Sequence, residues 1–355
     1  MKVLLVRLRL IGDVMFTTPI VRALRRQYPD AHISYLVEAL AAPVLRGNPH
    51  LDDLIVAPKR SGAARLADDL ALAWRLNRSR FDVAIDLHGG PRAAWLTWAT
   101  AAPMRIGYTI AGRSWMYTHV IPRAADLTPR HSVLNQWDLL EPLGIPPCDP
   151  AADPLDMPAD PAAAGRVEQM LHAAGFQTGR HTLVVIHVSA GNPFRRWPAE
   201  AFASLTADLV RRDSNRWVVL SSGPSDRPAA AAIAAAARDR LGNPSAAILH
   251  PDLDVAELRA VIARAAVYIG GDSGPLHIAA TTSTPVVALL GPTLAERSRP
   301  WRDPRWFVEV IDAGALPCRP CNQRHCAPGD FRCLTGIAPE RVLAAAERAL
   351  EVSHR

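Results

Sequence analysis

Lysine is almost missing from this chain: of 355 residues only Lys2 and Lys59 carry it, so nearly all of the 40 basic residues are arginines. A planar guanidinium can pair a carboxylate or phosphate through two parallel hydrogen bonds, which a compact ammonium cannot do. A compositional bias towards Ala, Arg and Pro would leave the same trace. Long apolar runs are missing too. Nothing approaches the roughly 20 consecutive apolar residues that span a bilayer, which excludes a transmembrane helix. The opening MKVLLVRLRLIGDV is broken by Arg7, Arg9 and Asp13 where a signal peptide needs an unbroken apolar centre, so the expected compartment is the cytoplasm. There is no repeat of fixed short period. The five cysteines contain one CxxC rather than the two of a zinc ribbon.

What is present describes a two-domain protein. The length suits two ordinary domains, each with its own core, and 49% hydrophobic residues with a mean hydropathy of +0.03 fit a globular chain. The net charge of +6 is unevenly spread: residues 1–130 hold 18 Lys and Arg against 10 Asp and Glu, and the remainder 22 against 24. The first part is expected to face something anionic, such as nucleic acid, an acidic membrane surface or an acidic sugar acceptor.

Apolar runs alternate with amphipathic segments, the pattern of parallel sheets wrapped by helices. Val3 to Leu8 reads as a strand. TTPIVRALRRQYP reads as a helix presenting Ile20, Ala23 and Leu24 to a core and Arg22, Arg25 and Arg26 largely to solvent. HISYLVE, FDVAID and MRIGY read as further strands, with helices near 63–76 and 92–98. IPPCDPAADPLDMPADP, residues 145–161, cannot continue either periodic element and is the expected domain boundary, giving domains 1–160 and 161–338. A second α/β unit follows, with strands LVVIHVS, RWVVLSS, AAVYI and PVVALLGP. Facing domains of this kind would place a cleft at the ends of their strands.

The strongest local signal is IGGDSGPLHIAA, residues 269–280, which joins a buried strand to a helix with Pro275 in its first turn. Free amides at a helix start favour an anion, and Gly271 and Gly274 allow close approach of a nucleotide or sugar phosphate. The same residues also suit an ordinary turn in which Ser273 caps the helix. His277, one turn on, reaches the same region or is structural. Asp13 follows the first strand, where it is either a general base or a helix cap. HVSAGNPFRRWP supplies Ser189 and Arg195 as a second phosphate contact, while Arg196 points elsewhere and Trp197 and Pro198 fix the start of the next helix. Asp226 in the GPSD loop can accept from ribose hydroxyls.

Asp252 and Asp254 form a DxD string, but Asp254 and Glu257 have the spacing of a capping box, so no obligatory divalent ion is expected; magnesium remains an activator at most. Cys318, Cys321, Cys326 and Cys333 suit either a structural zinc or a reduced loop. Arg324 and His325 beside them are placed to serve a substrate.

LRLIGDVMFTTPIVRALRRQYPDAHISYLV, the RRWP loop and GGDSGPLHIAATTSTPVVALLGPT occur in order, and together with CRPCNQRHC they resemble glycosyltransferase family 9, the heptosyltransferases of lipopolysaccharide core assembly. The resemblance spans nearly the whole chain. It implies an α/β GT-B fold: two Rossmann-like domains with a cleft between them, acceptor mainly on the first, nucleotide sugar on the second, and a C-terminal helix over 339–355 returning towards the first. It implies Asp13 as base and Ser189, Arg195, Asp272, Ser273, Gly274 and His277 as donor contacts, with Asp226 matching the ribose acid only approximately. Arg195 stands where the family often has lysine. The implied reaction is inverting transfer of a heptose from ADP-heptose to an anionic lipid-linked saccharide, with peripheral contact at the inner membrane face. His88, Arg92 and Arg105 are the acceptor-side candidates. A family 9 transferase with another nucleotide sugar or acceptor, or a GT-B nucleotide-sugar epimerase, is the alternative, and a nucleic-acid module is disfavoured because it leaves both phosphate loops without a role.

Overall fold

The computed structural model describes residues 1–58, 60, 62–123 and 130–353 and divides into two compact units, Met1–Pro158 and Ala159–Arg355. Lys59 and the last two residues of the expected C-terminal helix lie outside the described residues. The boundary falls in the proline-rich segment, two residues before the expected position, because Asp160 and Pro161 already belong to a helix start.

The first unit runs β1 (Lys2–Val6), α1 (Ile11–Met15), α2 (Thr18–Gln27), β2 (His32–Glu38), β3 (Asp53–Ala57), α3 (Gly62–Arg78), β4 (Val83–Asp86), α4 (Pro91–Ala99), β5 (Met104–Tyr108), β6 (His119–Ile121) and α5 (Ser132–Trp137). Its six strands are parallel in the order β3-β2-β1-β4-β5-β6. A central parallel strand is covered on both faces, which is why β1 is one continuous apolar run, buried from Val3 to Val6. α2 takes Pro19 in its first turn, where no amide is needed, and buries Ile20, Val21, Ala23 and Leu24.

Of its arginines, Arg26 is exposed as expected, whereas Arg22 and Arg25 are partly buried, and all three are engaged. Arg25 donates to Pro29 O, Ala31 O and Asp52 Oδ2, Arg26 to Asp153, and Arg22 to Pro154 O. They fasten α2 to the β2–β3 connection and to the unit's last segment. β3 and β6 were not anticipated: both are short, and β6 alternates only over three residues.

The second unit repeats the plan: α6 (Pro161–Ala173), β7 (Thr182–His187), α7 (Ala199–Arg212), β8 (Arg216–Ser221), α8 (Arg227–Leu241), β9 (Ile248–Leu249), α9 (Val255–Arg264), β10 (Val267–Gly271), α10 (Gly274–Ala279), β11 (Val286–Leu289), α11 (Ala295–Ser298), β12 (Val308–Ile311), α12 (Arg332–Thr335) and α13 (Pro339–Ser353). Its parallel order is β12-β11-β10-β7-β8-β9, the first unit's order read from the other edge. Each sheet therefore follows the Rossmann order 3-2-1-4-5-6, whose topological switch points lie between β1 and β4 and between β7 and β10.

The C-terminal helix, α13, buries Val342, Leu343, Ala345, Ala346, Ala349 and Leu350 in the second unit's core, with Ile269, Leu289 and Ile311 in the same cluster. Its apolar stripe covers a sheet face that would otherwise be wet.

Candidate active site

Both candidate sites sit at the carboxyl ends of the strands flanking a switch point, where a Rossmann sheet presents loops.

In the first unit, β1 ends at Val6 and Arg7 follows. Arg7 is 6% exposed, donates through Nη1 to Leu87 O at 2.6 Å and pairs through Nη2 with Asp13 Oδ2 at 2.5 Å. A buried guanidinium between a strand-end carbonyl and a carboxylate fixes that carboxylate tightly. Asp13 is the third residue of α1, with no capping hydrogen bond from its side chain, and about a third of that side chain is exposed. The helix-cap alternative is therefore not what the geometry uses. The turn into α1 puts Leu10 at φ +70°, a left-handed conformation that a branched residue adopts only under constraint.

At the end of β4, buried Asp86 accepts from the amides of His88 and Gly89, both at 2.8 Å, and from Tyr117 Oη at 2.6 Å. Burial raises its pKa, opposed by those three donors. The loop bearing Leu87 and His88 is thereby held in place, and with it the carbonyl that anchors Arg7. His88 is half-buried. Burial, reinforced by Arg7 and Arg9, pushes its imidazole down to about 4, so it is neutral at pH 7.

The other two acceptor candidates are engaged within the protein. Arg92 donates through Nε and Nη2 to Asp69 Oδ1 (2.9 and 2.5 Å), through Nη1 to Glu38 Oε1 (2.9 Å) and through Nη2 to Pro58 O (2.9 Å). Its fork is already occupied as a clamp joining α4, α3 and β2. Arg105 lies at the amino end of β5, away from the loops that form a Rossmann site, and donates to Met116 O and Ala102 O.

In the second unit, Asp272 follows β10 and is 2% exposed. Ser298 Oγ donates to its Oδ1 at 2.5 Å, His277 Nε2 lies 3.7 Å from the same oxygen, and Arg195 Nη1 pairs with Oδ2 at 3.0 Å, an ion-pair contact outside hydrogen-bond alignment. Burial would raise the carboxyl's pKa, but His277, Arg195 and Ser298 together hold it well below the usual carboxylate range. Asp272 is thus a fixed anion that orients a cation, not a proton carrier. Ser273 does not cap α10; its hydroxyl donates to Gly271 O at 3.2 Å, and Gly274 opens the helix. At Gly271 a Cβ would come 3.2 Å from Arg195 O, so glycine lets the two loops approach.

Arg195 Nε also donates to Gln323 Oε1 at 2.6 Å, and Gln323 reaches Thr293 Oγ1 as well. Ser189 is less available than expected: it accepts from Gly223 N at 2.8 Å and lies 3.2 Å from His187 Nε2. Asp226 pairs with Arg196 at 3.1 Å, and Arg196 also donates to Ala190 O, so this arginine does diverge from Arg195. Trp197 is buried and donates to Ile337 O, in keeping with its expected structural role. Arg7, Asp86, His187, Ser298 and Gln323 escaped sequence reasoning. Arg7 and His187 do carry a signal, a polar side chain where a buried strand ends, whereas Ser298, at the end of the four-residue α11, and Gln323, in a loop, carry none.

Cys318, Cys321, Cys326 and Cys333 share one apolar pocket with Phe194, Phe331 and His325, where burial and the neighbouring thiols push Cys333 up. Among the described residues, however, no three His, Cys, Asp or Glu side chains come together as a metal-holding group, so the donor set does not fit zinc as it stands. The DxD string behaves as anticipated. Asp254 and Glu257 form a complete capping box on α9, and Asp252 pairs with Arg227.

The family pattern described as "Glycosyltransferase family 9 (heptosyltransferase)" matches residues 70–329. Lipopolysaccharide heptosyltransferase 3 of Escherichia coli is 30% identical over 325 residues, covering 90% of this chain and 92% of its own. Among solved structures, a glycosyl transferase family 9 protein from Veillonella parvula DSM 2008 aligns with a TM-score of 0.84 at 23% identity, covering 99% of this chain and 97% of its own. The ADP-heptose lps heptosyltransferase II of E. coli aligns at 0.79 and 21%, covering all of both chains, so the fold is the GT-B fold of two Rossmann-like domains. With the pattern and the relative each matching most of the chain, this protein belongs to glycosyltransferase family 9.

Proposed function

We propose that the chain is an inverting heptosyltransferase that moves a heptose from ADP-heptose to a sugar hydroxyl of the lipopolysaccharide inner core, with Asp13 as general base. The names of its relatives, a lipopolysaccharide heptosyltransferase and an ADP-heptose lps heptosyltransferase, support a heptose donor and a lipopolysaccharide acceptor. The observation that carries the residue assignment is Asp13 itself, a partly exposed carboxylate at a switch-point loop, fixed by a buried arginine.

In this reading the acceptor hydroxyl attacks the anomeric carbon while its proton passes to Asp13 Oδ. The bond from that carbon to the diphosphate oxygen breaks with its electron pair on ADP. Arg195, held by Asp272 and Gln323, meets the developing charge, and the backbone around Ser273 and Gly274 adds donors. No covalent intermediate and no metal-dependent step is required, and the residues that would form the DxD site are engaged elsewhere. His88, as a neutral imidazole, is retained as an acceptor contact; Arg92 and Arg105 are not. The acceptor is read as anionic and lipid-linked.

The test is Asp13→Asn assayed with ADP-heptose and a truncated core acceptor. Turnover is expected to fall by at least about 100-fold, the usual range for a general base, with donor affinity and melting temperature unchanged. Full turnover in that variant, or conversion of the donor sugar without any acceptor, overturns the reading.

A further inference from the structure

The four cysteines of residues 318–333 have no part in the reaction, yet the segment that carries them touches the turn that presents Arg195. Gln323 Oε1 accepts from Arg195 Nε at 2.6 Å and from Asn192 Nδ2 at 3.2 Å, and Phe331 packs on Phe194 with ring centroids 5.3 Å apart. Asn192, Phe194 and Arg195 all belong to the short turn after β7. The segment therefore grips that turn at two points.

Both gripping residues are held under constraint. Gln323 lies at φ +57° and Phe331 at φ +51°, a left-handed backbone that residues other than glycine rarely adopt and that persists only while the surroundings impose it. The ends of the segment are fastened. Arg319 donates to Asp312 Oδ2 and to Thr293 O, and Leu334 packs so closely on Gly291 that a Cβ there would come within 2.6 Å of it. Between those ends the backbone holds itself weakly: residues 320–331 form neither helix nor strand, and over 320–330 they make one backbone hydrogen bond to each other among the described residues, Gly329 N to Cys326 O. What fills the middle is thiol. Cys318, Cys321, Cys326 and Cys333 line the same pocket as Phe194 and Phe331, all half-buried, none in a disulfide, and not converging as metal donors among the described residues.

We propose that this cluster is a thiol modification site, in which a disulfide between Cys321 and Cys333, formed by exchange with a low-molecular-weight disulfide, loosens the turn that carries Arg195. These two cysteines bracket both Gln323 and Phe331, and of the neighbouring thiols Cys321 acts most strongly on Cys333. The Cys321 thiolate attacks one sulfur of the small disulfide, whose S–S bond breaks with its electron pair on the departing small thiolate. The Cys333 thiolate then attacks the Cys321 sulfur of the mixed disulfide, closes the protein bond and expels the second small thiolate. Two protein thiols thus give up two electrons and two protons, and one small disulfide takes them up as two small thiols. Because the sulfurs stand unbonded and a disulfide has a fixed geometry, closure has to move backbone. Cys333 lies in α12, next to the fastened Leu334, whereas Cys321 lies in the weakly held stretch two residues from Gln323. The movement therefore falls on Gln323, and Arg195 keeps Asp272 but loses its second support. The consequence for donor binding rests on the donor role of Arg195 proposed above; the modification itself does not.

The test compares the full-length protein reduced and after treatment with oxidised glutathione, using mass spectrometry of alkylated peptides, amide hydrogen exchange and calorimetric titration with ADP. Oxidation is expected to join Cys321 to Cys333 and to speed exchange at the amides of Arg195 and Arg196, which close the turn on Asn192 O and Pro193 O. It is expected to weaken ADP binding by about tenfold, the effect of losing one hydrogen bond to a charged group. Dithiothreitol is expected to reverse all three changes. Cys321→Ser/Cys333→Ser is expected to bind ADP like the reduced wild type and to ignore the oxidant; the reversal in wild type keeps the test decisive if that variant is less stable. Oxidation that joins only other cysteines, unchanged exchange at Arg195 and Arg196, unchanged affinity in a protein that binds ADP when reduced, or a metal ion retained on the four thiols by the purified protein overturns the proposal. The disulfide with faster exchange, in a protein whose reduced form does not bind ADP, supports the thiol site and overturns the donor reading instead.

Discussion

Single side chains in this protein are held in unusual states by what surrounds them, and His187 shows how far that goes. It is fully enclosed between Ser221 Oγ, 3.0 Å from Nδ1, and Ser189 Oγ, 3.2 Å from Nε2, and burial pushes it down to about 4. The unfolded chain binds the proton from about pH 6.5 downwards, the folded chain only near 4. Its contribution to stability is therefore complete above pH 6.5 and declines as the pH falls towards 4. At pH 5 the loss is roughly 2 kcal/mol by linkage. His187→Gln is expected to reduce the drop in melting temperature between pH 7.5 and pH 5, and an unchanged drop would show that the histidine is not buried neutral. Asp272 has the same sign by a different cause: burial would raise its pKa, but His277, Arg195 and Ser298 hold it well below the ordinary carboxylate range, so the carboxylate opposite Arg195 stays charged at neutral and mildly acidic pH. Of these groups, sequence reading found Asp13, Asp272, Arg195 and His277 but not Arg7, Ser298 or Gln323. Arg7 is six residues from Asp13, while Ser298 and Gln323 are 26 and 128 residues from the side chains they bond.

At the scale of elements, local signals were dependable wherever one segment decides its own structure. The capping box on α9 is an example, since Asp254 and Glu257 each accept from the other's backbone amide, with Arg166 of α6 pairing with both carboxylates from outside. Asp254→Ala is expected to lower stability by about 1 kcal/mol in urea or thermal unfolding. If the DxD string served a metal, that variant would instead lose activity in a way restored by excess magnesium, and chelation by EDTA would abolish turnover of the wild type; neither is expected. The short strands β3, β6, β9 and β12 were missed for a related reason. Strands of two to five residues at or near a sheet edge carry too few alternations to be read, and their neighbours in the sheet define them. The partners of Arg22 and Arg25 in α2 and of Arg92 in α4 were not legible because periodicity assigns a side chain to a face but does not say what waits opposite it.

For the molecule as a whole, the repeated sheet order places reactive loops at the carboxyl ends of β1, β4, β7 and β10 in two units built to the same plan. α13 is part of the second of them. A chain ending at residue 338 would uncover Val342, Ala345, Ala346 and Ala349 sites over β10, β11 and β12, and is expected to leave the second unit unfolded, seen as rapid proteolysis beyond residue 159. A truncated chain that melts like the full one would mean that this packing contributes little. The sequence by itself determined the two-unit α/β plan, the family and the loops that carry chemistry, because apolar periodicity, glycine and proline positions and an acid after a strand are local properties of the chain. Only the tertiary structure decided which arginines are free, which carboxylates are held and where the last helix lies, because a charge is oriented or neutralised by partners that the fold, not the neighbouring sequence, brings to it.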